Sequence, residues 1–206
     1  PPALAGGEAA KELAALEAEV AASRTNPKET YLAFRARFEA LAEKRKGTEE
    51  ALTAKLWLLR NAWWHREEGT STKIAAALAD EILEQYQDSL QLAQVPDCHF
   101  NFAPADRERI FTRLAEKSKH PAVRGSALLR LALGSKGDRR KEILDRLIAE
   151  YREVPYRHTT LGELAGAGAD RRESARGFED ILERGVLQEL DVGGRDGRET
   201  AVEGAE

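Results

Sequence analysis

TEEALTAKLWLLRNAWW occupies residues 48–64 of the chain. Leu56 and Trp63 lie seven positions apart on one helix face, and Trp57 and Trp64 lie seven positions apart on another. A helix that is apolar on almost every side is expected in the middle of a fold. The stretch therefore predicts a central helix whose tryptophans are core residues rather than the lining of a ligand groove.

The same helical spacing recurs on both sides of this stretch, and no run alternates apolar and polar residues for long enough to predict a strand. Asn26-Pro27 and Thr48 are expected helix starts, because Asn and Thr cap free N–H groups and proline suits the first helical position. The central helix should run to about Arg66. We therefore predict an all-α protein, in which antiparallel helical hairpins stack as a short tetratricopeptide-like α-solenoid of about seven or eight helices.

The chain divides into three expected regions. Residues 1–26 form an N-terminal helix and linker, residues 27–165 form the helical-hairpin domain, and residues 166–206 form a weak helix and a flexible, Gly-rich acidic tail. Residues 90–103, interrupted by Pro96, should be the longest internal loop.

The C-terminal part has its own expectations. Thr160 should cap a helix that frays or bends at Gly162, Gly166 and Gly168, because glycine is unfavourable inside helices. A further short helix is expected around Phe178, Ile181 and Leu182.

The sequence also contains an internal match. The fourth and seventh helices align at an offset of 65 residues, which places Ile82 on Leu147 and Tyr86 on Tyr151. The preceding helices align at an offset of 71 residues. This pattern predicts two helix-turn-helix units of tetratricopeptide-like length, although the full tetratricopeptide consensus is absent.

Composition excludes several classes of protein. The formal net charge is −4, without the basic excess of a general nucleic-acid binder. Cys98 is the single cysteine, which rules out an internal disulfide and a CxxC redox centre. No apolar run is long enough to predict a membrane span. The chain begins Pro1-Pro2-Ala3 and contains no methionine, so we expect that an initiator, a signal peptide or a longer upstream region has been removed.

No catalytic, cofactor-binding or metal-binding residue is predicted. Cys98 and His99 are adjacent, and neighbouring side chains usually point in different directions, which disfavours a nucleophile and base pair. The histidines lack the spacing of helical metal ligands. An enzyme that uses a pocket in residues 90–103, with Cys98 or His99 as the reactive group, remains the alternative function.

Residues 117–146 form the one segment with local charge contrast, with nine cations against three carboxylates. Anion or nucleic-acid binding through this segment is a further alternative, although nucleic acid is disfavoured because no aromatic residue is interleaved. The candidate interaction surface consists of Lys117, Lys119, Arg124, Arg130, Arg139, Arg140 and Lys141.

Several short motifs occur in a recognisable order. They are FEALAEK at 38–44, the Ala51–Ala62 helix with Leu56-Trp57, HPAVRG at 120–125, and Glu150-Tyr151 followed by TLGEL at 160–164. This order resembles the helical region that precedes the thioredoxin fold in bacterial extracytoplasmic redoxin proteins, the TlpA-like thiol-disulfide oxidoreductases. The resemblance covers about residues 27–165 and rests on packing and turn residues.

The resemblance implies a non-catalytic interaction or spacer module with an extracytoplasmic location, periplasmic or secreted. Its partner would be another protein or a covalently following thioredoxin-like domain. That family places its redox cysteines in the thioredoxin domain, so no catalytic residue carries over to this chain. Leu190–Gly194 looks like the linker that enters that domain, and the chain is then either cut at the boundary or a relative that has lost the enzyme.

Overall fold

The computed structural model describes residues 3–68 and 71–170 of the protein. Helices dominate this part of the chain, which confirms the predicted all-α class. The α-helices are α1 (Ala3–Ala22), α2 (Pro27–Lys44), α3 (Glu49–Asn61), α4 (Ser71–Gln85), α5 (Pro104–Lys117), α6 (Pro121–Gly134), α7 (Gly137–Glu150) and α8 (Leu161–Asp170). The connections include two 3₁₀ segments, Ala62–Glu68 and Leu90–Asn101, and a short β-hairpin of β1 (Pro155–Tyr156) and β2 (Thr159–Thr160).

Two helix starts follow from local side-chain chemistry, as the sequence predicts. The Asn26 side chain accepts a hydrogen bond from the Glu29 N–H at 3.0 Å. The Thr48 hydroxyl accepts one from the Ala51 N–H at 3.2 Å. Each bond satisfies a backbone donor that has no partner inside the helix, so these caps fix where α2 and α3 begin.

The apolar residues form two clusters that meet at α3. The larger cluster joins α3 to α4, the second 3₁₀ segment and every later helix. The smaller cluster joins α1, α2 and the other face of α3. Trp57 is half-buried and stacks on Phe38, with ring centroids 3.9 Å apart. Trp57 and Trp64 therefore pack on the core, although they are not fully buried within it.

The internal match aligns the C-terminal ends of two helices. The Tyr86 N–H donates to the Ile82 carbonyl at 2.9 Å, and the Tyr151 N–H donates to the Leu147 carbonyl at 3.0 Å. Both tyrosines are buried directly after the last residue of their helices. The offset of 65 residues thus relates the end of α4 to the end of α7.

Residues 90–103 are not the irregular loop that the sequence predicts, because Leu90–Asn101 form a 3₁₀ segment with a kink at Cys98. The Ser89 hydroxyl accepts from the Gln91 N–H at 3.2 Å and starts the segment. At its end, the buried Asn101 amide donates to the Leu59 carbonyl at 2.7 Å. This contact with α3 is long-range, so local sequence patterns do not reveal it.

Two other boundaries also correct the sequence predictions. The α-helical geometry of α3 ends at Asn61, and a 3₁₀ segment replaces the predicted continuation to Arg66. The helix α8 is continuous from Leu161 to Asp170, so the glycines at 162 and 166 do not interrupt it. Thr160 caps it as predicted, because its hydroxyl accepts from the Glu163 N–H at 3.2 Å.

Leu13 and Leu16 of α1 pack in the same apolar cluster as residues of α2 and α3, so α1 (Ala3–Ala22) contacts the rest of the helical stack. The short helix predicted around Phe178 and the tail lie outside the described residues. No helix in residues 3–68 and 71–170 is both long and apolar enough to cross a membrane.

Candidate functional site

Asp97 links three parts of the fold. Its Oδ1 accepts hydrogen bonds from Arg130 Nη2 at 3.0 Å, from the Tyr156 hydroxyl at 3.1 Å and from Arg157 Nη2 at 3.3 Å. We call Asp97, Arg130, Tyr156 and Arg157 the Asp97 cluster. It ties the second 3₁₀ segment to α6 and to the β-hairpin, so its carboxylate has a positioning role.

Cys98 is buried beside this cluster and is held as a thiol. Its Sγ lies 3.7 Å from the Gln94 carbonyl, to which the S–H donates. Burial raises the pKa of the Cys98 thiol to about 12. Because the thiolate is the reactive form of cysteine, this environment disfavours a nucleophile.

His99 is equally unsuited to act as a general base at neutral pH. Burial, together with the charges of Arg130 and Arg107, lowers the pKa of His99 to about 4. Its ring packs edge-on against Phe100 at 5.7 Å between centroids. No hydrogen bond between Cys98 and His99 is found in the described part of the chain, which weakens the alternative of an enzyme built on residues 90–103.

One residue of the predicted interaction surface, Arg130, is buried, which corrects its assignment to a surface. Arg130 is only 8% exposed, and its guanidinium binds Asp97. Its charge is therefore part of the fold's interior and is not available to a partner.

Most other cations of that predicted surface have local partners. Lys119 pairs with Asp88 at 3.1 Å, Arg139 with Glu108 at 2.6 Å and Lys141 with Asp145 at 2.5 Å. The Arg124 guanidinium lies over the Tyr151 ring, 5.6 Å from its centroid. Lys117 and Arg140 make no ion pair within residues 3–68 and 71–170. Pairing of this kind reduces the positive field expected from the sequence.

A groove with positive charge lies between α4, the second 3₁₀ segment and α5, and it has a volume of about 290 Å³. We call it the Arg113 groove. Its floor is apolar, its edge carries cations, and none of the residues that line it within 3–68 and 71–170 is a carboxylate. The residues that define it are Leu83, Leu92 and Leu114 in the floor, and Gln87, Arg113 and Lys117 at the edge.

The cations of the Arg113 groove are weakly neutralised. Arg113 Nη1 is 3.9 Å from Asp80 Oδ1, and Arg109 already binds that carboxylate through both of its oxygens. Lys117 is exposed at the last position of α5. A neighbouring anion would therefore find positive charge beside a small apolar patch, since Leu83, Leu92 and Leu114 are each at most 3% exposed.

A second cleft has the opposite character. It lies between α2, α3 and α4, measures about 220 Å³, and is lined by the carboxylates of Glu39, Glu43 and Glu81. Its buried Lys55 is paired with Glu81 at 2.5 Å, which lowers the pKa of Glu81. The two clefts thus differ in the sign of the charge they present.

Of the residues that define the Arg113 groove, only Lys117 belongs to the surface that the sequence predicts, and Gln87, Leu92 and Arg113 do not. The available signal was the pair of cations at Arg113 and Lys117, four residues apart on one helix face beside the apolar Leu114. No group of three or more His, Cys, Asp and Glu side chains in residues 3–68 and 71–170 could hold a metal ion. No family model, curated protein or solved structure matches this chain.

Proposed function

We propose that this chain is a non-catalytic helical module that binds another polypeptide. The observation that carries the proposal is the Arg113 groove, where an apolar floor lies beside weakly neutralised cations and no lining carboxylate. Such a surface suits a peptide segment in which leucine-like side chains alternate with Asp or Glu.

The state of the reactive side chains supports a binding role over catalysis. Cys98 is a buried thiol with a raised pKa, and His99 is kept neutral by its environment. Asp97 serves the contact between α6 and the β-hairpin. The chemistry-bearing residues of the second 3₁₀ segment thus have structural roles.

The resemblance to the helical region of TlpA-like proteins is compatible with this proposal. In that arrangement the module would act as an interaction or spacer region beside a thioredoxin-like domain, in an extracytoplasmic compartment. Anion or nucleic-acid binding has weaker support, because five of the nine cations of residues 117–146 are in ion pairs.

Fluorescence anisotropy with labelled peptides tests the proposal. We expect acidic, leucine-rich peptides to bind. Basic peptides, and scrambled peptides without apolar residues, should not bind. The double substitution Arg113→Glu with Lys117→Glu should weaken binding by about tenfold or more, because it reverses the groove's charge. The control is the double substitution Lys136→Glu with Arg140→Glu, at the start of α7 and away from the groove. It changes the net charge by the same amount and should leave binding unchanged. Equal binding by both double variants would overturn the proposal.

A further inference from the structure

A segment of the chain itself has the chemistry that the Arg113 groove favours. Residues 178–190 read FEDILERGVLQEL and follow the described part of the chain. Phe178, Ile181 and Leu182 have the spacing of one helix face, and the segment holds four carboxylates against one arginine. It is therefore both apolar and acidic.

The groove complements this segment in charge and in size. Arg113 and Lys117 stand at its edge, and Leu83, Leu92 and Leu114 form its floor. A volume of about 290 Å³ is at the small end for ligand pockets, so it suits an apolar side chain or two better than a large cofactor. Carboxylates beside those side chains would then meet the two cations.

The connection is long enough for the segment to reach the groove. Residues 171–177 add up to about 23–25 Å when extended, and the segment adds more. The helix α8 is only about 15 Å long, and neighbouring packed helices lie about 8–10 Å apart. Reach from Asp170 to α5, two or three helices away, is therefore not limiting.

We propose that residues 178–190 dock in the Arg113 groove of the same molecule and compete there with other polypeptides. The inference rests on the proposed function, because both use this groove. A short tether gives the segment an effective concentration in the millimolar range, so even weak contacts keep the groove occupied. A partner then has to displace the segment, which makes the segment a built-in competitor.

Paramagnetic relaxation in the full chain tests this docking directly. A nitroxide label is placed at Gln188→Cys, and the buried Cys98 stays unlabelled because of its raised pKa. We expect the amide signals of Gln87, Leu114 and Lys117 to lose about half their intensity or more, as a mainly docked population requires. Amides in α2 should keep their intensity.

Charge variants show whether the signal loss depends on the cations of the groove. The double substitution Arg113→Glu with Lys117→Glu should restore the amide signals of the groove. Adding Glu179→Lys and Glu183→Lys to that variant should weaken these signals again, because the charges of groove and segment are then exchanged. Lys136→Glu with Arg140→Glu should leave the loss unchanged. Absence of signal loss in the groove, or loss that persists in the Arg113 and Lys117 variant, would overturn the inference.

Two further outcomes are separated by the same experiment. Signal loss that appears only when labelled and isotope-enriched molecules are mixed would assign the groove to a second copy of the chain and overturn intramolecular docking. If acidic peptides bind the groove from solution while the label causes no loss, the proposed function stands and this inference alone fails.

Discussion

Arg130 on α6 donates a hydrogen bond to Asp97 at 3.0 Å, although the two residues lie 33 positions apart in the sequence. The arginine is 8% exposed, while the Asp97 side chain is about one-third exposed. A cation of the predicted interaction surface and the acid that precedes Cys98 therefore both contribute to the fold. The stability of the molecule should depend on this pair.

We expect Asp97→Ala to destabilise the protein by about 2–4 kcal/mol, because it leaves the buried Arg130 guanidinium without its anion. Urea unfolding measures this free energy. Glu142→Ala removes an exposed carboxylate from α7 and should change stability by less than about 0.5 kcal/mol. Equal effects of the two substitutions would contradict a structural role for the Asp97 cluster.

Cys98 should react very slowly with iodoacetamide in the native protein. With its pKa raised to about 12, the thiolate at pH 8 is about a thousandfold scarcer than for an ordinary cysteine. Alkylation followed by mass spectrometry gives the rate, and the same chain in guanidinium chloride provides the unfolded control. Fast alkylation of the native protein, with a rate that rises to half its maximum near pH 8, would favour the alternative of a reactive centre at Cys98.

His99 should make the free energy of unfolding depend on pH between about 4 and 6.5, which is above the pH range in which most carboxylates titrate. Its pKa falls to about 4 in the folded chain from about 6.5 when unfolded, so the unfolded state binds more protons between these values. Stability is then complete above pH 6.5 and decreases as the pH falls toward 4. Urea midpoints from pH 7.5 to pH 5 measure the slope.

His99→Gln should flatten that slope, because glutamine does not titrate. Nuclear magnetic resonance of the native His99 ring gives an independent check and should show no titration between pH 7 and pH 5. A ring that titrates near 6.5 in the folded protein would contradict the environment described for His99.

Gly162 and Gly166 lie on the same helix, α8, and should respond oppositely to substitution by alanine. A Cβ at Gly162 would lie 2.7 Å from the Arg152 Cα, and backbone atoms cannot easily move away. We therefore expect Gly162→Ala to cost about 1–3 kcal/mol. Among the described residues, no atom beyond the adjoining turns of α8 lies within 4 Å of a Cβ at Gly166, so Gly166→Ala should stabilise by about 0.5–1 kcal/mol. Urea unfolding measures the change in stability of each variant. A change of the same sign in both would contradict the close contact between Gly162 and Arg152.

The sequence predicts features that depend on neighbouring residues and misses those that depend on distant ones. The caps at Asn26 and Thr48 are local, so their helix starts are predictable. The 3₁₀ segment that ends at Asn101 is not, because the Asn101 amide bonds to the Leu59 carbonyl 42 positions away. From the sequence, each glycine is expected to disfavour a helix to the same extent, whereas the close contact at Gly162 depends on tertiary packing.

The candidate site shows the same limit more strongly. Leu83, Leu92 and Arg113 come from three separate elements, and their shared groove exists only after folding. A charge count along residues 117–146 includes Lys117 but stops short of Arg113. It also cannot tell which cations are paired, because partners such as Asp88 and Glu108 lie outside that segment.

Chemical-shift mapping tests the central claim that the Arg113 groove recognises an acidic, apolar polypeptide. The peptide FEDILERGVLQEL is titrated into the full chain carrying Glu179→Lys and Glu183→Lys, which weakens competition from residues 178–190. We predict that the largest amide shifts cluster at Leu83, Leu92, Arg113 and Leu114, and that they decrease as salt rises, since screening weakens the attraction of exposed charges. Shifts that are absent, or that cluster in the acidic cleft between α2, α3 and α4, would contradict the claim.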